Sequence, residues 1–121
     1  MNSGASVLIV AKPGSVRNGL QALLSSIVGI QSVELADDCL EALKLNVERQ
    51  ATLILLEGGR PDTQVWYAVR EIKRTWPHTR CIVLVTDVEQ QQSADGAIAD
   101  AVVLHGTPPT ELVATIERLL D

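Results

Sequence analysis

Phenylalanine is missing from this sequence, and its aromatic residues amount to two Trp and one Tyr. A core must therefore come from Leu, Val, Ile and Ala, and little is available to stack against a flat ring. Cysteine is scarce too. Cys39 and Cys81 each sit in an apolar context and read as packed thiols, and with His78 and His105 they show no ligand-like spacing, which excludes a structural zinc site. Long apolar runs are absent: Val7–Ala11, Leu53–Leu56 and Cys81–Val85 fall far short of a membrane span. Met1–Ser6 has neither a basic start nor an apolar signal core, so the expected compartment is the cytoplasm. Basic charge is in deficit, with 10 Lys and Arg against 15 Asp and Glu, a net charge of −5, which argues against nucleic-acid binding by this domain itself. No Gly-rich phosphate loop and no Ser-His-Asp or Cys-His order is visible.

What is present alternates. Ser6–Val10 is a continuous apolar run of the kind buried on both faces of a sheet, and Ala11-Lys-Pro-Gly14 breaks it. Ser15 is a candidate cap for a helix to about Val28, with Val16, Leu20, Leu23, Leu24 and Ile27 on one stripe and Gly29 as its stop. Val33–Ala36 reads as a second strand. Asp37 or Asp38 then caps a helix carrying Leu40, Leu43 and Val47. Ala51–Glu57 is a third strand, and Asp62 or Thr63 opens a helix that buries Trp66, Val69 and Ile72 and ends before Pro77. Arg70, Lys73 and Arg74 read as its wet side, and Tyr67 faces solvent beside Trp66. Cys81–Thr86 is a fourth strand. Asp87–Ala99 carries a polar Gln run and Gly96, and predicts only a short or frayed fourth helix. Ala101–Leu104 is a fifth strand. Thr107-Pro108-Pro109 starts a last helix, to about Leu120, that buries Leu112, Val113, Ile116, Leu119 and Leu120.

Five strand–helix units with apolar strands predict one α/β domain over residues 1–121: a parallel five-stranded sheet between two helical layers. The expected order is 2-1-3-4-5, the flavodoxin-like (βα)5 sandwich, with a short or irregular fourth helix. Such a sheet places its site at the carboxyl ends of the strands. The residues delivered there are Ala11 and Lys12, Glu57, Thr86 and His105.

On five pieces the chain resembles the receiver domain of bacterial response regulators, above all receivers that precede a helix-turn-helix output domain. They are Val7–Val10, Val16–Leu20, Leu55–Asp62, Ile82–Asp87 and Leu104–Leu112, in family order over nearly the whole length. The resemblance implies a two-component signalling module. Receivers carry a phosphoacceptor Asp after strand three. An acidic pair after strand one holds Mg²⁺ with help from a backbone carbonyl two residues past the Asp. A Ser or Thr after strand four, a Lys after strand five and an aromatic switch residue on strand five complete the set.

Carried over residue by residue, the phosphoacceptor position is Glu57 and the acidic pair falls on Ala11 and Lys12. The carbonyl position is Gly59, the Lys position His105 and the aromatic position Val102. Thr86 alone keeps its family identity. Mg²⁺ needs several hard oxygen ligands, and both strand-one carboxylates are gone, so no cofactor is expected. The extra methylene of Glu57 shifts its carboxylate, and an in-line displacement misplaced by ~1 Å loses on the order of a hundredfold.

The reading is a pseudo-receiver: a regulatory module that is not an enzyme, contacting a sensor, an output domain or a second copy through the last helix and fifth strand, with no membrane role. Two alternatives stand beside it, a phosphorelay receiver modified by unorthodox chemistry and a flavodoxin-like small-ligand binder. For Glu57 itself the sequence offers two geometries, an ion pair with Lys12 or a reach toward Thr86 that mimics the phosphorylated state.

Overall fold

In the computed structural model, which describes residues 4–58, 63–91 and 98–120, the predicted alternation is present throughout. The order is β1 (Ala5–Val10), α1 (Ser15–Ser25), β2 (Ile30–Ala36), α2 (Cys39–Glu48), β3 (Leu53–Glu57), α3 (Thr63–Thr75), β4 (Arg80–Val85), α4 (Val88–Gln91), β5 (Ala101–Leu104) and α5 (Pro109–Leu120). All four strand pairings are parallel and the sheet runs β2-β1-β3-β4-β5. This is the flavodoxin-like architecture expected from the sequence.

Two apolar layers hold the sheet, as an all-parallel sheet requires. On one face Leu8, Val10, Ile54, Leu56, Val83 and Val85 meet Val65, Trp66, Val69 and Ile72 of α3, and Ala42 of α2. On the other, Val7, Ile9, Leu53, Leu55 and Ile82 meet Leu20 and Leu24 of α1, and Leu112 and Ile116 of α5. Trp76 packs against the edge of the first layer. Alternate residues of each strand thus feed opposite layers, so the two cores share one sheet.

Several boundaries and faces differ from expectation for local reasons. α1 begins at Ser15 itself, behind Gly14 and without a side-chain cap bond, and it ends at Ser25, where the Ser26 hydroxyl donates to the Leu23 carbonyl at 2.7 Å. Val16 at its start is 42% exposed. β2 begins at Ile30, three residues early, because it continues along β1 as an edge strand whose Gln31 and Ser32 face water. β3 begins at Leu53. Ala51 is withdrawn from the ladder because its N–H donates to Asn46 Oδ1 (2.7 Å) and its carbonyl accepts from the Thr79 hydroxyl (3.0 Å). Pro109 opens α5, Thr107 lies in the turn ahead of it, and the Pro108 carbonyl accepts from both Glu111 and Leu112.

The largest departure is on α2. Asp38 caps it as foreseen, accepting from Glu41 N at 2.8 Å, while Glu41 reaches back to Asp37 N at 2.8 Å. The buried face, however, is Ala42 and Asn46, with Leu43 and Leu45 half-buried. Leu40 and Val47, expected in the core, are exposed. Lys73 of α3 also leaves the wet side assigned to it. Its Nζ bonds Asp100 Oδ2 (3.0 Å) and the Thr79 carbonyl (3.1 Å), and the same carboxylate oxygen accepts from Cys81 N at 2.7 Å.

Candidate site at the strand ends

The carboxyl edge of the sheet gathers the predicted residues. β1 delivers Ala11, buried with its N–H on the Ala36 carbonyl (3.0 Å), and then Lys12, which is exposed. β3 delivers Glu57. Gly58 follows, and its N–H donates to the Leu84 carbonyl at 2.7 Å. A Cβ at Gly58 would lie 3.2 Å from that carbonyl oxygen and 3.2 Å from Val83 Cγ1, so the close approach of the two chains favours glycine. Thr86 comes directly after β4 and is exposed. Val102 is half-buried on β5, in register with Val83. His105 follows β5 with its N–H on the Val85 carbonyl at 2.8 Å, and Gly106 turns the chain at φ +89°. Gly59 and Asp62 lie outside the described residues.

Glu57 does not pair with Lys12. Its Oε2 lies 3.7 Å from His105 Nε2, both side chains about a quarter exposed, whereas Lys12 makes no ion pair among the described residues. Lys12 is exposed at the rim of the cleft, while the Glu57 carboxylate lies within reach of His105, which follows β5. At 3.7 Å the contact is electrostatic and too long for a hydrogen bond. His105 Nε2 is buried and has no hydrogen-bond partner among the described residues.

Beside Glu57 opens a cleft of about 470 Å³ lined by Ala11, Lys12, Asp37, Asp38, Glu57 and Gln64, among others. Sequence reading gave Asp37 and Asp38 capping duties alone. Their position just after β2, at the same sheet edge as Glu57, was the available signal that they also border the site. Arg17, unremarked in the sequence, bridges the edge: its Nη1 contacts the Ala11 carbonyl at 3.4 Å and pairs with Asp37.

No family model matches the chain. Among curated proteins it is 32% identical over 102 residues to the uncharacterized transcriptional regulatory protein YhcZ of Bacillus subtilis (strain 168), spanning 83% of this chain but 48% of that protein. Solved structures share the whole architecture. The signal receiver domain of an HD domain-containing protein from Pseudomonas fluorescens Pf-5 superposes with a TM-score of 0.85 at 21% identity, covering 98% of this chain and 95% of its own. The response regulator TrrA from Thermotoga maritima, in complex with Mg²⁺-BeF, gives 0.84 at 22%, covering 96% and 99%. A LuxR family DNA-binding response regulator from Silicibacter pomeroyi gives 0.79 at 25%, covering 96% and 91%. The chain has the receiver-domain fold. It spans about half the length of the curated relative it matches.

Receivers hold Mg²⁺ with acids after β1, and the groups at this edge do not fit that ion. Ala11 offers no carboxylate there, and Lys12 places a cation at the mouth of the cleft. Asp37 is engaged by Arg17, and Asp38 caps α2. No cluster of three or more His, Cys, Asp or Glu suited to a metal occurs among the described residues. Glu57 is thus left facing a histidine.

Cys81 is chemically quiet. Burial pushes its thiol up to about 12, with nearby Lys73 opposing and Asp100 adding to the shift. Among the described residues no helix is long and apolar enough to cross a membrane.

Proposed function

We propose that this chain is a divergent receiver domain that works in signal transduction as a regulatory protein-interaction module, without catalysis and without phosphoryl transfer at Glu57. The observation that carries the reading is the approach of His105 Nε2 to Glu57 Oε2 at 3.7 Å, on an edge whose acidic pair has become Ala11 and Lys12. A phosphoryl group needs cationic partners as charge develops on it. Here the metal carboxylates are replaced, and the nearby His105 lies against the carboxylate that would have to attack.

The site therefore works as a fixed surface. Its partner is another protein, a sensor or an output domain, in the cytoplasm. The face for that partner is the last helix and fifth strand, where Leu20, Leu23, Val103, Leu104 and Leu112 line an apolar groove of about 580 Å³ between α1 and α5. The relation to a transcriptional regulatory protein about twice as long supports an output domain as one such partner.

The test is incubation with acetyl phosphate and Mg²⁺ followed by intact-mass measurement. The unmodified mass is expected. An acyl-phosphate adduct that disappears in Glu57→Gln would sink the proposal and establish the unorthodox phosphorelay receiver instead.

A further inference from the structure

His105 touches two openings at once. Its side chain lines the apolar groove between α1 and α5, and its Nε2 lies 3.7 Å from Oε2 of Glu57, which lines the strand-end cleft. The backbone at His105 is held: its N–H donates to the Val85 carbonyl at 2.8 Å, and the Thr107 N–H closes the Gly106 turn onto the Leu104 carbonyl at 3.1 Å. The imidazole is the part left to move. Its side chain is 27% exposed, so water reaches the ring, yet Nε2 itself is buried without a hydrogen-bond partner among the described residues.

That nitrogen meets Glu57 differently in the two charge states of the ring. A neutral imidazole has one donor nitrogen and one acceptor. With Nε2 as the acceptor, a lone pair faces a carboxylate oxygen and nothing draws the two together. The separation of 3.7 Å, too long for a hydrogen bond, fits that form. An imidazolium donates from both nitrogens, so Nε2 then presents a charged N–H to Glu57. Charge-assisted hydrogen bonds settle at about 2.7–2.9 Å, which leaves this contact roughly 1 Å to close. With the backbone held, that closing is a shift of the ring within the groove wall.

Glu57, from β3, is the charge that faces Nε2. α1 brings Ser15, Val16 and Gly19 to the groove, and the approach to α5 with its first turn brings Thr107, Pro109 and Leu112, none of them titratable. Of the charged side chains on the elements around the ring, Arg17 pairs with Asp37, and Asp87, Glu111, Glu117 and Arg118 are exposed. Lys12, also exposed, borders the cleft beside Glu57.

We propose that His105 is a proton-operated link between the strand-end cleft and the α1–α5 groove: protonation draws Nε2 onto Glu57, and the shift of the ring reshapes the groove wall. Imidazole is the side-chain class suited to such a link, since it changes charge between about pH 5 and 8. The link rests on the reading of that groove as the partner face only for its use, which is to tune the face by a proton where no phosphoryl group is taken. The movement itself is a property of this chain alone.

Methyl and imidazole NMR of the intact chain, from about pH 5 to 8, tests it. The methyl resonances of Leu20, Leu104 and Leu112 are expected to follow the same titration curve as the His105 ring. His105→Gln should abolish their response, and Glu57→Gln should weaken it, because the ring then has no carboxylate to close onto. His78→Gln, at an exposed position, should leave the response unchanged. Leu24, fully buried in the core beneath α1, should keep its resonances in every variant, showing that the fold is retained. Groove methyls that ignore the titration of His105 overturn the proposal. So does a response that persists in His105→Gln or that Glu57→Gln leaves at full strength. None of these results concerns whether a partner occupies the groove, so the two readings fail separately.

Discussion

The Nε2 of His105 sits 3.7 Å from the Oε2 of Glu57, buried and without a hydrogen-bond partner among the described residues. Strand geometry creates that meeting. Glu57 is the last residue of β3, His105 the first after β5, and β4 lies between them. The two side chains lean across the end of β4 toward each other. Glu57 thus borders both the cleft it shares with Ala11 and Lys12 and the imidazole of His105. The arrangement sets Glu57 against His105, while Lys12 is exposed and makes no ion pair among the described residues.

If the proposed absence of phosphoryl transfer follows from the residues at Ala11, Lys12, Glu57 and His105, supplying the receiver residues there should confer that transfer. The scaffold is intact, because the Gly58 N–H to Leu84 carbonyl bond and the His105 N–H to Val85 carbonyl bond still fix the strand ends. The variant Ala11→Asp, Lys12→Asp, Glu57→Asp, His105→Lys is expected to gain Mg²⁺-dependent thermal stabilisation and to form an acyl phosphate with acetyl phosphate. Glu57→Asp alone should do neither, since it supplies an acceptor without cations. Calorimetric Mg²⁺ titration and intact mass read the two outcomes. An adduct on the single variant would show that the missing carboxylates are not what silences the site.

Asp100 ties three elements together. Its carboxylate accepts from Lys73 Nζ of α3 at 3.0 Å and from Cys81 N of β4 at 2.7 Å, and it lies 3.4 Å from Arg80 Nη1. Removing it takes the counter-charge from a half-buried ammonium and leaves the Cys81 N–H of β4 without its acceptor. Asp100→Ala should cost about 2–4 kcal/mol of unfolding free energy, within the range for breaking partly buried charged hydrogen bonds. Arg49→Ala, which breaks an exposed pair with Glu34 at 3.5 Å, should cost under about 1 kcal/mol. Urea unfolding of both variants checks the contrast.

Asn46 and Val47 mark where the sequence could and could not be read. Strands and their order were legible because an all-parallel sheet needs apolar runs such as Leu53–Leu56, which nothing else in the chain imitates. That Ala11, Lys12, Glu57, Thr86 and His105 lie at strand ends was legible for the same reason, since each ends or follows an apolar run. Side-chain direction was not: the sequence offers Lys12 or Thr86 to Glu57, and the contact with His105, which follows a strand two places away in the sheet, is not among those expectations. On α2 hydrophobicity does not track burial, since Leu40 and Val47 are exposed. Its inward face carries Asn46, 1% exposed, whose Oδ1 caps the N–H of Ala51 at 2.7 Å. Asn46→Ala should therefore destabilise by about 1–3 kcal/mol through an orphaned buried N–H. Val47→Ser, at 72% exposure, should stay within about 0.5 kcal/mol in the same denaturation experiment.

Cys81 gives the fold a pH signature at its alkaline end. Burial raises its thiol from 9.0 to about 12 in the folded chain. In the unfolded chain the thiol ionises from its ordinary value upward, so between those limits the unfolded state holds fewer protons than the native one, and stability falls as pH rises. The sign follows: the contribution is whole below about pH 9 and is lost progressively as pH climbs toward 12. Three units correspond to on the order of 4 kcal/mol in full. Cys81→Ala removes the ionisable group at the cost of a small cavity. Its stability should accordingly start lower than the parent's at pH 8 and decline less steeply through pH 10. Chemical denaturation at closely spaced pH values measures both slopes, and parallel slopes would show that the Cys81 thiol is not the group that titrates.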